Sequence, residues 1–298
     1  MEKLLNNAFN GDPRSIGRLI SLVEADTPSA KEIMKQVYPR TGKAKIIGIT
    51  GSPGAGKSTF VDRLIEQFQA EGRKVGVIAI DLLTPPRCPL NENVFIRSMG
   101  SRGHLGGVSR STHEASLILD ACGFDIVLIE TVGVGQSEVD IIKIADTVVL
   151  VLVPGMGDDV QIMKAGIMEI ADTFVVNKAD KEGADKVAAD VQVMLKMLKE
   201  KDWVPPVTLV SSQNNTGVEE VKKILNDHWN YLQTSDEGKR RRFVQLEMEV
   251  EAILRGEISI LTEKVWKKRK DTGVLEDLAS RKADPYTLAG EMISQIVK

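Results

Sequence analysis

Apolar residues recur along this chain in distinct rhythms, and the changes of rhythm mark its parts. Up to residue 43 the spacing is helical. Ile16, Leu19, Ile20 and Val23 share one face, with Asp12 placed as N-cap and Pro13 at the first helical position. Ser29 and Glu32 have the spacing of a capping box that would open a second helix. Residues 1–43 therefore read as an N-terminal helical arm of two helices. Its apolar stripe must be buried, by default against the neighbouring domain of the same chain.

From Lys45 the pattern becomes short, nearly uninterrupted apolar runs: Ile46–Thr50, Val75–Ile80, Ile126–Ile129, Val148–Val153, Phe174–Val176 and Val207–Val210. Runs of this length without alternation suit parallel strands buried on both faces. Between them lie segments of helical character, about Lys57–Glu71, Ser111–Cys122, Ser137–Ala145, Val160–Ile170, Ala184–Lys199 and Val218–Tyr231. Strand and helix alternate over residues 44–233, which predicts an α/β fold: a doubly wound, mostly parallel sheet with its ligand at the carboxyl ends of the strands.

After Thr234 no strand signal returns. Phe243, Leu246, Val250, Leu254, Ile258, Leu261 and Val265 form a long helical stripe, and about Pro285–Val297 reads as a closing helix. The run Lys239-Arg240-Arg241-Arg242 that leads into the stripe reads as a solvated helix start, with a phosphate-binding patch as the alternative. A helical extension over residues 234–298 buries too little by itself, so it should pack on the domain or on a second copy, and a homodimer is expected.

Composition narrows the setting. The chain has 298 residues, 42% apolar and 27% charged, with a net charge of −3, so neither nucleic acid nor a membrane surface is favoured as partner. Its cysteines, Cys88 and Cys122, form no CxxC pair, which fits a reducing, cytoplasmic compartment. Met1–Asn7 lacks the character of a leader peptide, and no apolar stretch reaches membrane-spanning length.

The chemistry concentrates where the first strand run meets the first long helix. Gly51-Ser52-Pro53-Gly54-Ala55-Gly56-Lys57-Ser58-Thr59 matches GxxxxGK[ST] between a strand and a helix. Glycines there let successive N–H groups face a polyphosphate while the helix N-terminus adds its positive end. Lys57 would reach the β- and γ-phosphates, and Ser58 would ligate Mg²⁺. The fold is thus expected to be that of a P-loop NTPase.

Further along, Asn177-Lys178-Ala179-Asp180 ends a strand run, and NKxD at that place selects guanine: Asp180 accepts from N1–H and the exocyclic amine, which adenine lacks. The ligands expected are therefore GTP and GDP. Ser211-Ser212, ending the next run, would bring backbone N–H groups near the guanine O6, although Ser pairs are also ordinary turn chemistry. Glu130-Thr131-Val132-Gly133 stands where GTPases carry DxxG. Glu130 can hold Mg²⁺ through water, and the Gly133 N–H can sense the γ-phosphate. Gln136 is a candidate to orient the attacking water, with a solvated loop glutamine as the alternative. Asp81, at the end of the second run, is a further Mg²⁺ candidate or else a strand-end cap.

Ser101–Gly107, Glu130–Glu138, Pro154–Asp159 and Asn177–Asp180 together closely resemble the MeaB/ArgK family of GTPases, over about residues 10–232. The resemblance implies a G-protein chaperone that gates adenosylcobalamin delivery to methylmalonyl-CoA mutase and protects that enzyme, with a C-terminal extension that forms a homodimer. One segment departs from the family pattern. After Asp81 the chain runs Leu82-Leu83-Thr84-Pro85-Pro86-Arg87-Cys88-Pro89-Leu90-Asn91, about a dozen residues shorter than the family's switch loop and without an acidic residue. Slow hydrolysis is expected from it. The competing readings are a metal-insertion GTPase, which would need clustered Cys and His ligands that the sequence does not show, and a small-molecule kinase, against which NKxD argues.

Overall fold

The computed structural model describes residues 1–80, 92–100, 110–131, 140–155, 170–197 and 202–297. They fall into two compact units, Met1–Lys239 and Arg240–Lys298.

In the first unit, β1 (Lys45–Thr50), β2 (Val75–Ile80), β3 (Val94–Met99), β4 (Ile126–Glu130), β5 (Thr147–Leu152), β6 (Thr173–Asn177) and β7 (Val207–Val210) form one sheet in the order β3-β2-β4-β1-β5-β6-β7. Every pairing is parallel. A parallel sheet covered on both faces needs strands that are apolar throughout, and β2 and β5 are buried along their whole length.

Side chains leave a strand alternately to the two faces, so the core divides into two layers. On one face Ile47, Ile49, Val77, Leu128 and Val149 pack with Phe60 and Leu64 of α4 (Lys57–Ala70) and with Val221 and Leu225 of a later helix. On the other, Ile46, Ile78, Val127 and Val148 meet α5 (Arg110–Ala121) and the N-terminal arm.

The arm holds three α-helices rather than the two expected: α1 (Glu2–Phe9), α2 (Pro13–Glu24) and α3 (Ala30–Val37). Leu5, Leu19, Ile20 and Ile33 are all within 1% of complete burial, so the stripe is spent on the sheet's own core. Asp12 caps α2 as its position implied, accepting from the Ser15 N–H at 2.9 Å. The capping box on α3 does not form. Ser29 already has helical dihedrals, its hydroxyl lies 3.1 Å from that of Thr27, and Glu32 pairs with Lys35 at 2.7 Å.

Of the remaining helices, α6 (Ala184–Leu195) and α7 (Val218–Thr234) complete the first unit's cover. Of the expected helix 137–145, the described part, 140–145, holds only the 3₁₀ turn Ile141–Lys143, and the expected helix 160–170 lies outside the described residues but for its last position. That turn packs tightly. A Cβ on Gly48 of β1 would lie 2.3 Å from Ile141 Cγ1. From Asp236 the chain is a single helix, α8 (Asp236–Lys270), followed by α9 (Val274–Ala279) and α10 (Pro285–Val297). Among the described residues, no helix is long and apolar enough to cross a membrane.

The amino edge of the sheet carries one device three times. Asp146, the residue before β5, donates its N–H to the Ile46 carbonyl and accepts the Ile46 N–H on its carboxylate, both at 2.8 Å. Asp172, before β6, does the same to Val148 at 2.9 and 2.8 Å, and Asp125, before β4, to Lys74 at 2.9 and 2.8 Å. Each aspartate thus closes a ring at the start of its neighbour strand, with Lys74 just ahead of β2 and with Ile46 and Val148 as the second residues of β1 and β5, and so sets the register of that pair. Asp120 of α5 serves the entry to β1, accepting from the N–H groups of Gly42, Lys43 and Ala44. His228 of α7, 1% exposed, reaches the same edge, with Nδ1 2.8 Å from the Thr147 hydroxyl and Nε2 3.5 Å from Asp172.

Asp146→Ala is expected to lower the unfolding free energy by about 1 kcal/mol, the cost of leaving a partly buried N–H without its acceptor. Urea titration would show the loss, and faster hydrogen exchange confined to Ile46 and its neighbours would distinguish a lost register clip from general loosening.

Candidate nucleotide-binding site

All strands run the same way, so the residues at their carboxyl ends meet along one edge. The loop from β1 into α4 explains its own glycines. Gly51, Gly54 and Gly56 have φ of 141°, 77° and 83°, in the region that side chains disfavour. A Cβ at Gly51 would stand 2.1 Å from the Val151 carbonyl oxygen, and one at Gly56 2.6 Å from Asn177 Nδ2. Bare backbone at these two positions lets the loop lie directly on β5 and on the end of β6. Gly56 is the N-cap of α4, so Lys57, Ser58 and Thr59 form its first turn, at the positive end of the helix dipole. The Lys57 ammonium, nearly buried, donates to the Gly51 and Ser52 carbonyls at 2.7 and 3.0 Å. Its charge is thereby held within the loop.

Glu130 ends β4 and is 1% exposed. One carboxylate oxygen accepts from the Ser58 hydroxyl at 2.6 Å, and the other, Oε2, is buried with no hydrogen-bond partner among the described residues. Burial pushes this carboxyl above its usual 4.5, while the Ser58 hydroxyl and then the Lys57 charge pull it partway back. An unmatched carboxylate oxygen beside a serine hydroxyl is a hard-oxygen donor set, and it fits Mg²⁺. Thr131, fully buried, ties this corner to the loop's root: its N–H reaches the Ile49 carbonyl at 3.1 Å and its hydroxyl the Thr50 hydroxyl at 3.0 Å.

Asn177, 2% exposed, joins the loop to the next two strand ends. Its Nδ2 donates to the Ala55 carbonyl at 2.8 Å, and its Oδ1 accepts from the Ser212 N–H and hydroxyl at 3.1 and 2.8 Å. Lys178, at φ of 57°, donates to the Gly54 carbonyl at 2.8 Å. Asp180 accepts from the Ser211 hydroxyl, and that bond is the main reason its carboxyl is held below the usual range.

The candidate residues Gly51–Thr59, Glu130, Asn177, Lys178, Asp180, Ser211 and Ser212 therefore form one connected group. Asp81 and Gln136 lie outside the described residues, as do the segment 82–91 and the stretches 101–107, 132–138 and 156–159. One expectation needs correction. The N–H groups of Ser211 and Ser212 are already engaged, with the Thr216 carbonyl at 3.1 Å and with Asn177, so they are not free to face a base. Their hydroxyls donate to Asp180 and to Asn177. Arg63 was not singled out by any motif. From α4 its Nε donates to the Ser212 carbonyl at 3.0 Å, and its Nη1 to both oxygens of Glu66 at 3.0 and 2.8 Å.

A phosphate loop on the central strand of a parallel sheet, with NKxD beside it, defines a P-loop GTPase. The family model described as "Methylmalonyl Co-A mutase-associated GTPase MeaB" matches residues 16–269, and the chain belongs to this MeaB/ArgK family. A Pyrococcus abyssi protein whose name places it among GTPases is 43% identical, over 100% of this chain and 97% of its own length. That alignment is 314 positions long against a chain of 298 residues, which requires gaps in this chain. The GTPase ArgK of Escherichia coli is 34% identical over 73% of this chain and 72% of its own. A crystal structure titled "LAO/AO transport system kinase" superposes with a TM-score of 0.72 at 26% identity, covering 100% of this chain and 97% of that one.

Glu130→Gln keeps the side chain's shape and removes the buried charge. In nucleotide-free, metal-free protein the variant is expected to be more stable than wild type by about 1 kcal/mol near neutral pH. The folded carboxyl holds its proton to higher pH than the unfolded one, so wild-type stability falls as pH rises above 4.5 and levels off beyond the raised value. The advantage of the variant should open across that window and vanish below it. Thermal melts from pH 4 to 8 check this, and a wild type that is the more stable at every pH would refute it.

Proposed function

We propose that this GTPase binds GTP with Mg²⁺, hydrolyses it to GDP and phosphate, and acts as the chaperone that gates adenosylcobalamin delivery to methylmalonyl-CoA mutase and protects that enzyme. The observation that carries guanine binding is the double bond of Asn177, to the phosphate loop on one side and to Ser212 on the other. It sets the Asp180 carboxylate at a fixed offset from the phosphate cradle. Ser211 holds that carboxyl below its usual range and fixes its direction, and an ionised carboxylate can only accept, which suits the N1–H and 2-amino group of guanine and rejects adenine. The partner rests on the family's description, which names a methylmalonyl-CoA mutase association.

The roles follow from position. Gly51–Thr59 would wrap the phosphates, with Lys57 on the β- and γ-oxygens. Mg²⁺, held by Ser58 and reached through water by Glu130 and Asp81, would neutralise charge on those phosphates when bound. Gln136 would orient the attacking water. The segment after Asp81 has prolines at 85, 86 and 89 and offers no carboxylate, so intrinsic hydrolysis is slow. The second unit supports a homodimer: Phe243, Val250, Leu254 and Ile258 on α8 are 71%, 56%, 54% and 53% exposed in the single chain, an apolar stripe that a second copy would cover. A cytoplasmic site of action agrees with this reading.

Asp180→Asn is expected to weaken GTP binding by roughly a hundredfold or more and to shift preference toward xanthosine triphosphate, whose 2-oxo group accepts where guanine donates. Calorimetric titration measures both, and a wild type that takes ATP as tightly as GTP would sink the guanine assignment. For the partner, tagged chain should retain a methylmalonyl-CoA mutase on a column, with the amount retained differing between non-hydrolysable GTP and GDP. Equal, background-level recovery in both states would remove the chaperone role while leaving the GTPase untouched.

A further inference from the structure

Ser212 is 3% exposed, and each of its polar groups is taken. Its N–H and hydroxyl go to Asn177, and its carbonyl accepts from Arg63 of α4. Arg63 is in turn held by Glu66 one helical turn on, through both carboxylate oxygens. A planar guanidinium gripped on one edge and donating from the other has little freedom to swing, so the carbonyl it meets is fixed in direction as well as in place.

A peptide group is planar and trans, with its oxygen and its N–H on opposite sides. Fixing the Ser212 oxygen from the α4 side therefore turns the next N–H, that of Gln213, away from α4. Gln213 is exposed, and among the described residues no protein acceptor takes this N–H. The N–H groups of the two preceding residues are both engaged, so Gln213 provides the first free donor after β7. It sits two residues beyond Ser211, which holds Asp180. If Asp180 reads the N1 and 2-amino side of a guanine, the adjoining edge is the 6-oxo group, and an acceptor there needs a donor from this turn.

We propose that Arg63, braced by Glu66, is a positioning residue for base recognition: it orients the Ser212–Gln213 peptide so that the Gln213 N–H meets the 6-oxo group of the purine. This rests on the guanine reading above and assigns the 6-position to an element outside NKxD. Selectivity at that position is set from the phosphate-loop helix, whereas selectivity at the 2-position belongs to Asp180.

The test separates the two edges of the base by analogue. GTP is compared with 6-thioguanosine triphosphate, whose sulfur is a poor acceptor, and with inosine triphosphate, which lacks the 2-amino group, by calorimetry on wild type, Arg63→Met and Glu66→Gln. Wild type should prefer GTP over the 6-thio analogue by about tenfold, the weight of one hydrogen bond to an otherwise unmatched donor. In Arg63→Met that preference should fall to near unity, with the preference for GTP over inosine triphosphate unchanged, while the thermal midpoint drops modestly because the buried Ser212 carbonyl loses its donor. Glu66→Gln, which loosens the brace and keeps the arginine, should give a smaller fall in the same direction and serves if Arg63→Met does not fold. Both preferences falling together, or neither moving, would overturn the role of Arg63. Failure of wild type to prefer GTP over ATP would instead overturn the guanine reading itself.

Discussion

The side-chain amide of Asn177 bonds at both of its ends, and the carboxyl edge of the sheet is arranged around it. Its nitrogen holds the carbonyl of Ala55 in the phosphate loop, and its oxygen takes two donors from Ser212. An amide has one geometry in which all of this is satisfied, and at 2% exposure water offers no substitute. The loop after β7 and the loop after β1, three places apart in the sheet order yet bridged through β6, therefore share a common reference point. Arg63 reinforces that link from the helix side, and Lys178 from the solvent side.

The two edges of the sheet use acidic residues in opposite ways. At the amino edge Asp120, Asp125, Asp146 and Asp172 are each matched to backbone N–H groups, so their charge is spent on geometry. At the carboxyl edge Glu130 keeps an oxygen without a partner among the described residues, a stability cost that a ligand would relieve. The same chemistry fixes strand geometry where it is satisfied and leaves an acceptor available to a ligand where it is open.

Much of this was legible in the sequence because parallel strands and phosphate loops leave strong local traces. The six apolar runs became strands β1, β2 and β4–β7, and GxxxxGK[ST] and NKxD fell at the ends of the expected strands. Strand β3 was not, since Arg97 and Ser98 interrupt its apolar pattern. Arg97 is tolerated there because α2 supplies Glu24 at 2.8 Å, a partner no local pattern reveals. The capping box at Ser29 misled for the converse reason: the spacing was right, but the preceding turn had already carried Ser29 into helical dihedrals. Arg63 was hidden because its target is a backbone carbonyl distant in the chain, and a carbonyl has no sequence signature. The commitment of the Ser211 and Ser212 N–H groups was hidden in the same way.

The aspartate rings at the amino edge have a direction in time. Asp125 clips the lead of β2, Asp146 that of β1, and Asp172 that of β5, so each clip sits just ahead of a later strand and grips one already made. On a chain emerging from a ribosome, every new central strand arrives behind its own fastener, and the edge it must join is already in place. Assembly can then proceed in the order of synthesis, with each register set before the next strand appears.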